Sequence, residues 1–417
     1  MRDVLVVGAG AAGLALAARL LEAGLDVVVW ERRPAPAGLS RAIGIHAPAL
    51  ESLDREVAEQ VVDEAVLVRR GVARTRDRVL GVVPFDRVSA RFPFVATLPQ
   101  ARTEEILRAR VDALEPSCVQ RGATLTGLEE IDGAVQVTGE VPLTGWSGAQ
   151  EASGADDAFA SALTLTTPVH ETARFVVAAD GARSTVRDLL GVPAPLRTYP
   201  DTYVMGDLAD TTGTGNRTGT GALVDDGTRR DDAVVHLERE GVVESFPLPQ
   251  GTRRWVVRTD ARVVGPTPDQ LVAVVEHRTG IHLDPSTCTM LSSFEVRRRL
   301  AARTVHGRTV LLGDAAHEIS PIGGQGMNLG WLDAARLAPL LVDGARAGRI
   351  PAEALERYDR SRRRRARWAA RQAEANMALG RPVQGATAAL RDALLTAALR
   401  TPARRGLASV YAMRHLR

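Results

Sequence analysis

The chain of 417 residues is too long for one ordinary hydrophobic core, so we expect at least two domains. Its hydrophobic content of 45% is typical of a globular protein, and no apolar run approaches the roughly 18 residues that a membrane-spanning helix needs. The net charge of +3 is too small to predict a nucleic-acid partner, and all 53 basic residues are arginine, as in G+C-rich coding sequences. Cys118 and Cys288 form no metal or redox motif and the histidines are scattered, so we expect no metal and a cytoplasmic location.

The first thirty residues predict a strand, a helix and a second strand. Residues 4–7 form a short apolar run of the kind found in buried parallel strands. Residues 14–21 have helical spacing, and residues 27–30 form another apolar run. This order is that of one βαβ unit.

A glycine-rich turn joins the first predicted strand to the helix. Gly8, Gly10 and Gly13 have the spacing G-x-G-x-x-G, which allows a tight turn and a close approach of the backbone to a pyrophosphate. Glu31 follows the second strand, where its carboxylate can accept hydrogen bonds from ribose hydroxyls and would repel a 2′-phosphate. The unit therefore predicts FAD or NAD rather than NADP, and the choice between these two stays open here.

The middle of the chain continues with mixed elements. Residues 103–114 predict a helix with Thr103 as its N-cap. Residues 139–159 are rich in small and turn-forming residues and predict a long hairpin loop. Residues 174–180 predict another buried strand.

The second half of the chain changes its periodicity twice. Residues 199–264 alternate mostly with period two, which predicts an antiparallel sheet. Residues 309–314 form a buried strand that is too short for a domain of its own, so we expect it to complete the first sheet. The chain from residue 327 onward is largely helical, and its arginine-rich stretch 360–371 predicts a solvated helix.

These elements predict an α/β protein with a discontinuous Rossmann-like domain, a β-rich substrate domain and a helical C-terminal region. We expect the nucleotide domain to comprise residues 1–72, 96–192 and 290–345, the substrate domain residues 73–95 and 193–289, and the C-terminal helices residues 346–417.

A second motif favours FAD. In GDAAHEISPIGGQGMNLGWLDAARL, Asp314 follows a buried strand and can bind the hydroxyls of a ribityl chain. Gly323, Gly324 and Gly326 can bring backbone close to a flat ring at the start of a helix predicted over residues 326–341. The N-terminus of that helix can stabilise negative charge on a reduced flavin, for which NAD has no counterpart.

At this point the sequence resembles the flavin-dependent aromatic hydroxylases of the para-hydroxybenzoate hydroxylase type, the class A monooxygenases. The resemblance covers roughly residues 1–345. Besides the first glycine turn, the matching segments are GDAAHEISPIGGQGMN (313–328), AADGARSTVR (178–187), SRAIGIHAPALESL (40–53) and LPQARTEEIL (98–107). The region after Leu341 is similar to that of the shorter members, which lack a C-terminal thioredoxin-like domain.

The resemblance implies the residues that hold FAD. They are Gly8, Gly10, Ala12, Gly13, Glu31, Arg32, Arg41, Gln100, Asp180, Gly181, Asp314, Pro321, Gly324, Gln325, Gly326, Met327 and Asn328. Pro321 and, less directly, His317 are expected to line the isoalloxazine, and no side chain is predicted to be catalytic because the flavin carries the chemistry. Arg183 and Arg187 are expected either to form salt bridges around the Asp-Gly turn or to contact the nucleotide.

The resemblance also implies the reaction. NADH or NADPH reduces FAD, and O2 then gives a flavin C4a-hydroperoxide that hydroxylates an aromatic substrate. Three substrate classes stay open: a polyketide or other natural product, a simple phenol or acid, and a quinone precursor. The expected pocket walls are Tyr203, Met205, Leu223, His236, Phe246 and Trp255. Because alternate strand residues face opposite ways, we expect about half of these six to face the pocket.

Several alternatives on the same fold stay open. They are an epoxidase, a Baeyer–Villiger-type oxygenase, a flavin-dependent reductase and a halogenase, although the Trp-x-Trp-x-Ile-Pro signature of halogenases is absent. A flavoprotein without catalytic activity and a plain NAD dehydrogenase are the remaining readings. The sequence leaves the oligomeric state open.

Overall fold

The computed structural model describes residues 1–36, 42–143, 165–210 and 228–416. Its strands, in chain order, are β1 (Arg2–Val7), β2 (Val27–Glu31), β3 (Gly44–Ile45), β4 (Val66–Val68), β5 (Arg70–Arg74), β6 (Val79–Pro84), β7 (Val95–Thr97), β8 (Val119–Arg121), β9 (Thr124–Ile131), β10 (Ala134–Pro142), β11 (Thr166–Ala178), β12 (Leu196–Ala209), β13 (Ala233–Glu238), β14 (Gly241–Leu248), β15 (Thr252–Thr259), β16 (Met290–Leu300), β17 (Val305–His306), β18 (Thr309–Leu311) and β19 (His317–Glu318). Its α-helices are α1 (Ala11–Glu22), α2 (Ala47–Glu51), α3 (Arg55–Glu64), α4 (Gln100–Leu114), α5 (Thr185–Leu189), α6 (Pro268–Thr279), α7 (Gln325–Ala347), α8 (Ala352–Leu379), α9 (Gly385–Arg400) and α10 (Ala403–Tyr411).

The first sheet has the order β17-β18-β11-β1-β2-β8, with β9 and β10 attached beyond β11. The pairs β1–β2, β1–β11, β11–β18 and β2–β8 are parallel. The strands come from three separate stretches of the chain, and β18 pairs with β11 as expected. The predicted discontinuous Rossmann-like fold is therefore confirmed. Helices α1, α4 and α7 pack together on one face, where Leu14, Ile106 and Leu337 share a core with Val4 and Val6 of β1.

The second sheet has the order β19-β16-β12-β15-β14-β13-β5-β6 and is antiparallel except where β13 pairs with β5. Its centre is the predicted β-rich region. The predicted division at residue 290 places strand β16 in the nucleotide domain, but β16 pairs along β12 in this second sheet. The division at residue 72 likewise falls inside β5. Backbone hydrogen bonds pair β16 with β12, and β5 with β13 and β6, so both strands belong to the second sheet. These two expected boundaries are therefore wrong. The rest of the domain division stays a prediction.

Two local expectations also differ from the structure. The predicted loop 139–159 begins inside a strand, because β10 continues to Pro142; residues 144–159 lie outside the described part of the chain. Gly139 is needed in that strand because a Cβ there would lie 2.6 Å from the ring of Trp30. Helix α4 begins at Gln100 rather than at Thr103, and the Thr103 hydroxyl donates to the carbonyl of Pro99 instead of capping the helix.

The C-terminal region is helical, as predicted. Helix α8 carries the arginine-rich stretch, but not all of it is solvated: Arg360 is 62% exposed, whereas the side chain of Arg362 is 2% exposed and turns inward. Helix α9 packs on β6, where a Cβ on Gly81 would lie 2.3 Å from Leu399. None of the helices in the described residues is long and apolar enough to cross a bilayer.

Candidate functional site

A cleft of about 780 Å³ lies between the two large sheets. Its walls include the residues that follow the carboxyl ends of β1, β2, β11 and β18, which are neighbours in the first sheet. Ligands of parallel α/β sheets bind at this edge because the loops leaving adjacent strands meet there. One face of the second sheet forms the opposite wall.

The glycine-rich turn after β1 is close-packed at two positions and open at the third. Gly8 has a φ of +105°, and a Cβ there would lie 2.3 Å from the carbonyl oxygen of Ala179. A Cβ on Gly13 would lie 2.0 Å from the carbonyl oxygen of Gly8, so Gly13 supports the turn and does not line the cleft. Gly10 faces the cleft and is the N-cap of α1, and it has no side chain to cap the helix. The positive end of the helix dipole therefore lies at the cleft, where it favours an anion.

Glu31 lies where β2 reaches the cleft and holds the turn in place. Its carboxylate accepts hydrogen bonds from the backbone N–H of Ala9 at 2.9 Å and from the guanidinium Nε of Arg33 at 3.0 Å. Burial alone would raise the pKa of this carboxyl, but the bonds from Arg33 and Ala9 outweigh burial and lower it. Glu31 is therefore ionised, and Arg32 beside it also lines the cleft.

Helix α4 contributes a second carboxylate that the sequence did not single out. Glu104 accepts hydrogen bonds from the backbone N–H of Ala11 at 3.2 Å and from the side-chain amide of Gln100 at 2.8 Å. Gln100 and Glu104 both line the cleft. The spacing of four residues on one helix face was the only available signal.

Two aspartates face the middle of the cleft. Asp180 accepts from the backbone N–H of Val186 at 3.2 Å through one oxygen, while its other oxygen is buried and has no partner. Asp314 is exposed to the cleft, and partial desolvation by the surrounding walls raises the pKa of its carboxyl. Arg187 donates to the carbonyls of Ala182 and Ala315 and so joins the two aspartate turns.

Of the two arginines after the Asp-Gly pair, only one can reach a nucleotide. Arg187 is 1% exposed, donates to two backbone carbonyls and pairs with the carboxylate of Asp188 at 3.4 Å, which is a structural role. Arg183 is exposed and lines the cleft together with Gly181. The expectation of nucleotide contact therefore stays a prediction for Arg183 alone.

The loop before α7 forms the next part of the wall. Pro321, Gly324, Gly326 and Met327 line the cleft, and Gly324 caps α7 with a φ of +65° and no side-chain cap. The structure places Asn328 and Gln325 beneath this loop rather than in the cleft, since both are 0% exposed. Asn328 donates to the carbonyls of Gly44 and Gly324, so it fixes the loop that was expected to contact the flavin.

His317 does not reach the cleft, which corrects the expectation that it lines the flavin. Its ring is 2% exposed and bonds through Nε2 to the carboxylate of Asp333 on α7. The other oxygen of Asp333 accepts from Arg362 at 3.0 Å. Strand β19 pairs with β16, and this pairing aims the His317 side chain at the packed helices α7 and α8 instead of the cleft.

Of the six residues predicted for the substrate wall, five lie in the described part of the chain, and two of these five line the cleft. Met205 and Phe246 line the cleft. Trp255 lies on the opposite face of the second sheet and packs against Leu271 of α6, and His236 is on that face too, directly across from Val243. Burial lowers the pKa of His236 to about 3.

Tyr203 shares the cleft face with Met205 but lies one layer below the surface. Its ring stacks on Phe294 with centroids 5.5 Å apart, and its hydroxyl is buried without a partner. Phe294, which the sequence did not single out, lines the cleft in its place. Leu223 and Arg41 lie outside the described residues.

The sequence also missed an aromatic wall built from three distant segments. Tyr411 of α10 stacks on Phe85 with centroids 5.7 Å apart and meets the ring of His46 edge-on at 5.6 Å. His46 Nε2 lies 3.3 Å from the carbonyl of Gly323; because a carbonyl only accepts, the neutral ring carries its proton on Nε2. Burial lowers the pKa of His46 to about 4. No sequence pattern links these segments.

The residues along this cleft fit FAD. Two helix N-termini, those of α1 and α7, face it, each with a glycine as its N-cap, and a helix N-terminus favours anionic phosphates and an electron-rich ring. The unpartnered oxygen of Asp180 and the unpaired carboxyl of Asp314 can accept hydrogen bonds from ligand hydroxyls. A profile of the FAD binding domain family matches residues 1–373.

The chain belongs to this family. Its relatives include a 12-dehydrotetracycline 5-monooxygenase/anhydrotetracycline 6-monooxygenase of Streptomyces rimosus, 33% identical over 373 residues that cover 87% of this chain and 66% of the relative. A rifampicin monooxygenase of Streptomyces venezuelae is 30% identical over 353 residues, which cover 82% of this chain and 65% of the relative. The chain thus spans just under two thirds of the length of these relatives.

A solved structure shares the fold almost end to end. The p-nitrophenol 4-monooxygenase of Pseudomonas putida superposes with a TM-score of 0.81, covering 99% of this chain and 97% of that one, at 22% identity. The predictions of the fold, of the family resemblance and of FAD as the cofactor are confirmed. The role of each individual cleft residue stays a prediction.

Proposed function

We propose that this protein is an FAD-dependent monooxygenase that hydroxylates an aromatic substrate, using O2 and electrons from NADH or NADPH. The observation that carries the proposal is the meeting, in one cleft, of the FAD-binding residues with an apolar sheet face formed by Met205, Phe246, Val256 and Phe294. An apolar wall next to a flavin holds a flat substrate and excludes water, which oxygenation requires.

The cofactor supplies the redox chemistry when it is bound, and the protein positions the reactants. Gly10 and the N-terminus of α1 would hold the pyrophosphate, and Asp314 would accept hydrogen bonds from the ribityl hydroxyls. The Pro321–Met327 loop, fixed from below by Asn328, would line the flavin. Among the described residues that line the cleft, none is a nucleophile paired with a base, which is consistent with chemistry carried by the cofactor.

The substrate class that we propose is a natural-product or other hydroxylated aromatic compound. Support comes from the names of two relatives, 33% and 30% identical to this chain, which refer to tetracycline precursors and to rifampicin. The relatives are longer than this chain, so their activities support the proposal only as analogies. A cytoplasmic location, suggested by two unpaired cysteines, is part of the same proposal.

The deciding experiment combines cofactor oxidation with product analysis. The FAD-loaded protein is incubated with NADH or NADPH and a panel of hydroxylated aromatics under ¹⁸O2. We expect one class of compound to stimulate both NAD(P)H oxidation and O2 uptake and to gain one labelled oxygen atom by mass spectrometry. NAD(P)H oxidation coupled to substrate reduction without O2 uptake would instead identify a reductase, and incorporation into a ring ester or an epoxide would identify the other oxygenase types. The same data choose between NADH and NADPH.

A further inference from the structure

Glu244 is the acidic residue of an otherwise apolar patch on the cleft wall. It lies in β14 directly across from Val235 of β13 and from Val256 of β15. Because side chains alternate along a strand, Val242 and Phe246 flank it on the same face. All four nearest neighbours of this carboxyl on the sheet are therefore apolar.

No described residue forms a hydrogen bond or an ion pair with Glu244. The two basic residues diagonal to it are occupied elsewhere: Arg254 is bound through two nitrogens to Asp207, at 2.6 and 2.7 Å, and Arg258 pairs with Asp260 at 2.9 Å. Each of these guanidiniums is thus held by an aspartate, and neither bonds to Glu244.

The other ionisable groups that face this part of the cleft do not neutralise Glu244 either. The phenols of Tyr203 and Tyr411 both have a pKa raised by burial and by the charge of Glu244, so they are neutral. His46 is neutral as well. On β16, Arg297 pairs with Glu295 at 3.2 Å.

We propose that Glu244 binds a neutral hydroxyl group of the aromatic substrate and selects against substrates that carry a carboxylate. This inference rests on the proposed function in so far as it takes the cleft to be the substrate site. A hydroxyl can donate to a carboxylate or accept from a carboxylic acid, so it satisfies Glu244 in either form. A ligand carboxylate would bring a second negative charge next to Glu244, where the two diagonal arginines of the described residues, Arg254 and Arg258, are already paired.

The position also explains why a carboxyl is present where it destabilises the free protein. Burial among apolar side chains raises the pKa of Glu244 to about 7, so both forms exist near neutral pH. A leucine would pack better on the free sheet face. A hydrogen bond between Glu244 and a hydroxyl group of the ligand accounts for the presence of an acid at this position.

The test uses a matched pair of probes on the FAD-loaded protein. 2-Naphthol is uncharged and 2-naphthoate is anionic across the pH range of interest, and both have the same ring system. Binding is measured by equilibrium dialysis and by the change in flavin absorbance, at pH 6 and at pH 8. The variants are Glu244→Gln, which keeps shape and hydrogen bonding, Glu244→Leu, and Glu240→Gln, an exposed acid in the turn of the same hairpin, as control.

We expect the wild type and Glu240→Gln to bind 2-naphthol at least about tenfold more tightly than 2-naphthoate at pH 8, with a smaller ratio at pH 6. In Glu244→Gln the ratio should fall towards one and lose its pH dependence, because 2-naphthoate binding improves. In Glu244→Leu, 2-naphthol binding should weaken severalfold. Equal binding of the two probes by the wild type, or an unchanged ratio in Glu244→Gln, overturns the inference.

These outcomes are separable from those of the proposed function, because binding is measured without turnover. A Glu244-dependent preference for 2-naphthol in a protein that oxygenates no compound would support the inference and contradict the monooxygenase activity. Oxygenation of an aromatic acid with unchanged kcat/KM in Glu244→Gln would support the monooxygenase activity and contradict the inference about Glu244.

Discussion

His317 and Asp333 form a buried pair: the imidazole Nε2 bonds to one carboxylate oxygen, and both side chains are 2% exposed. Burial lowers the pKa of His317, but the charge and the hydrogen bond of Asp333 raise it further than burial lowers it. Arg362 of α8 binds the second oxygen of Asp333. The pair thus connects the strand after the Asp314 turn with the helix that starts at the flavin loop and with the C-terminal helices.

Removing Arg362 should destabilise the whole protein. In Arg362→Ala, the buried carboxylate of Asp333 loses one of its two partners, and we expect the free energy of unfolding in urea to fall by about 3 kcal/mol. The control is Arg360→Ala on the same helix, where the 62% exposed side chain pairs only with Glu356, and we expect a change below about 0.5 kcal/mol there. An equal decrease in the free energy of unfolding in both variants would show that the buried Arg362–Asp333 contact stabilises the protein no more than an exposed ion pair does.

The two glycines Gly10 and Gly13 should respond differently to a side chain. Gly13→Ala places a Cβ 2.0 Å from a backbone oxygen and should lower the free energy of unfolding by at least about 2 kcal/mol, with or without FAD. Gly10→Val points into open space, 3.8 Å from the Glu104 side chain at its Cβ. We expect it to keep the stability of the flavin-free protein and to lose FAD on purification, measured as flavin absorbance per protein. Tight FAD binding by Gly10→Val would exclude Gly10 from the pyrophosphate site.

The positions that sequence reasoning located correctly are those where local signals determine geometry. Gly8, Glu31, Asp180 and Asp314 each lie at or just after the end of a buried parallel strand, and such strand ends converge at one edge of a sheet whatever the loops between them do. Pairing of these strands is specified by their apolar runs. The FAD side of the cleft could therefore be predicted before its structure was known.

The substrate side could not be predicted to the same extent, because it depends on tertiary placement. Tyr411 reaches the cleft only because α9 and α10 fold back over the second sheet, and nothing in its local sequence indicates this. For Trp255 and His236 the strands were correctly expected, but the face that each strand turns to the cleft is decided by neighbouring strands and by α6. Glu244 did have a signal, a lone acid between Val242 and Phe246 on one strand face.

Asp314 should be needed for cofactor retention rather than for folding. Asp314→Ala removes an unpaired carboxyl from the cleft, so we expect the purified protein to lose most of its FAD and to retain its circular dichroism spectrum. Asp343→Ala, at an exposed position on α7, is the control and should keep the flavin. Full flavin occupancy in Asp314→Ala would contradict the assignment of this residue to the ribityl chain.

Glu244 should make stability depend on pH in a defined direction. Its pKa rises from the ordinary 4.5 to about 7 on folding, so the folded protein binds the proton more tightly than the unfolded chain. Stability is therefore lost as the pH rises from 4.5 through 7 and is constant above that range. In Glu244→Gln this loss is absent. At pH 8 we expect the variant to be more stable than the wild type by about 2–3 kcal/mol, since one pKa unit corresponds to about 1.4 kcal/mol and water in the cleft screens part of the effect.

The measurement is urea unfolding of both proteins, in the same flavin-loaded state, at intervals between pH 4.5 and pH 8.5. The difference in the free energy of unfolding should be near zero at the acid end, grow through the middle of the range and level off above pH 7. Glu240→Gln, at a carboxyl that is 59% exposed, should follow the wild type throughout. A constant difference across the range would mean that Glu244 does not titrate in the cleft, and a wild type more stable than Glu244→Gln at pH 8 would mean that a partner for its carboxylate exists.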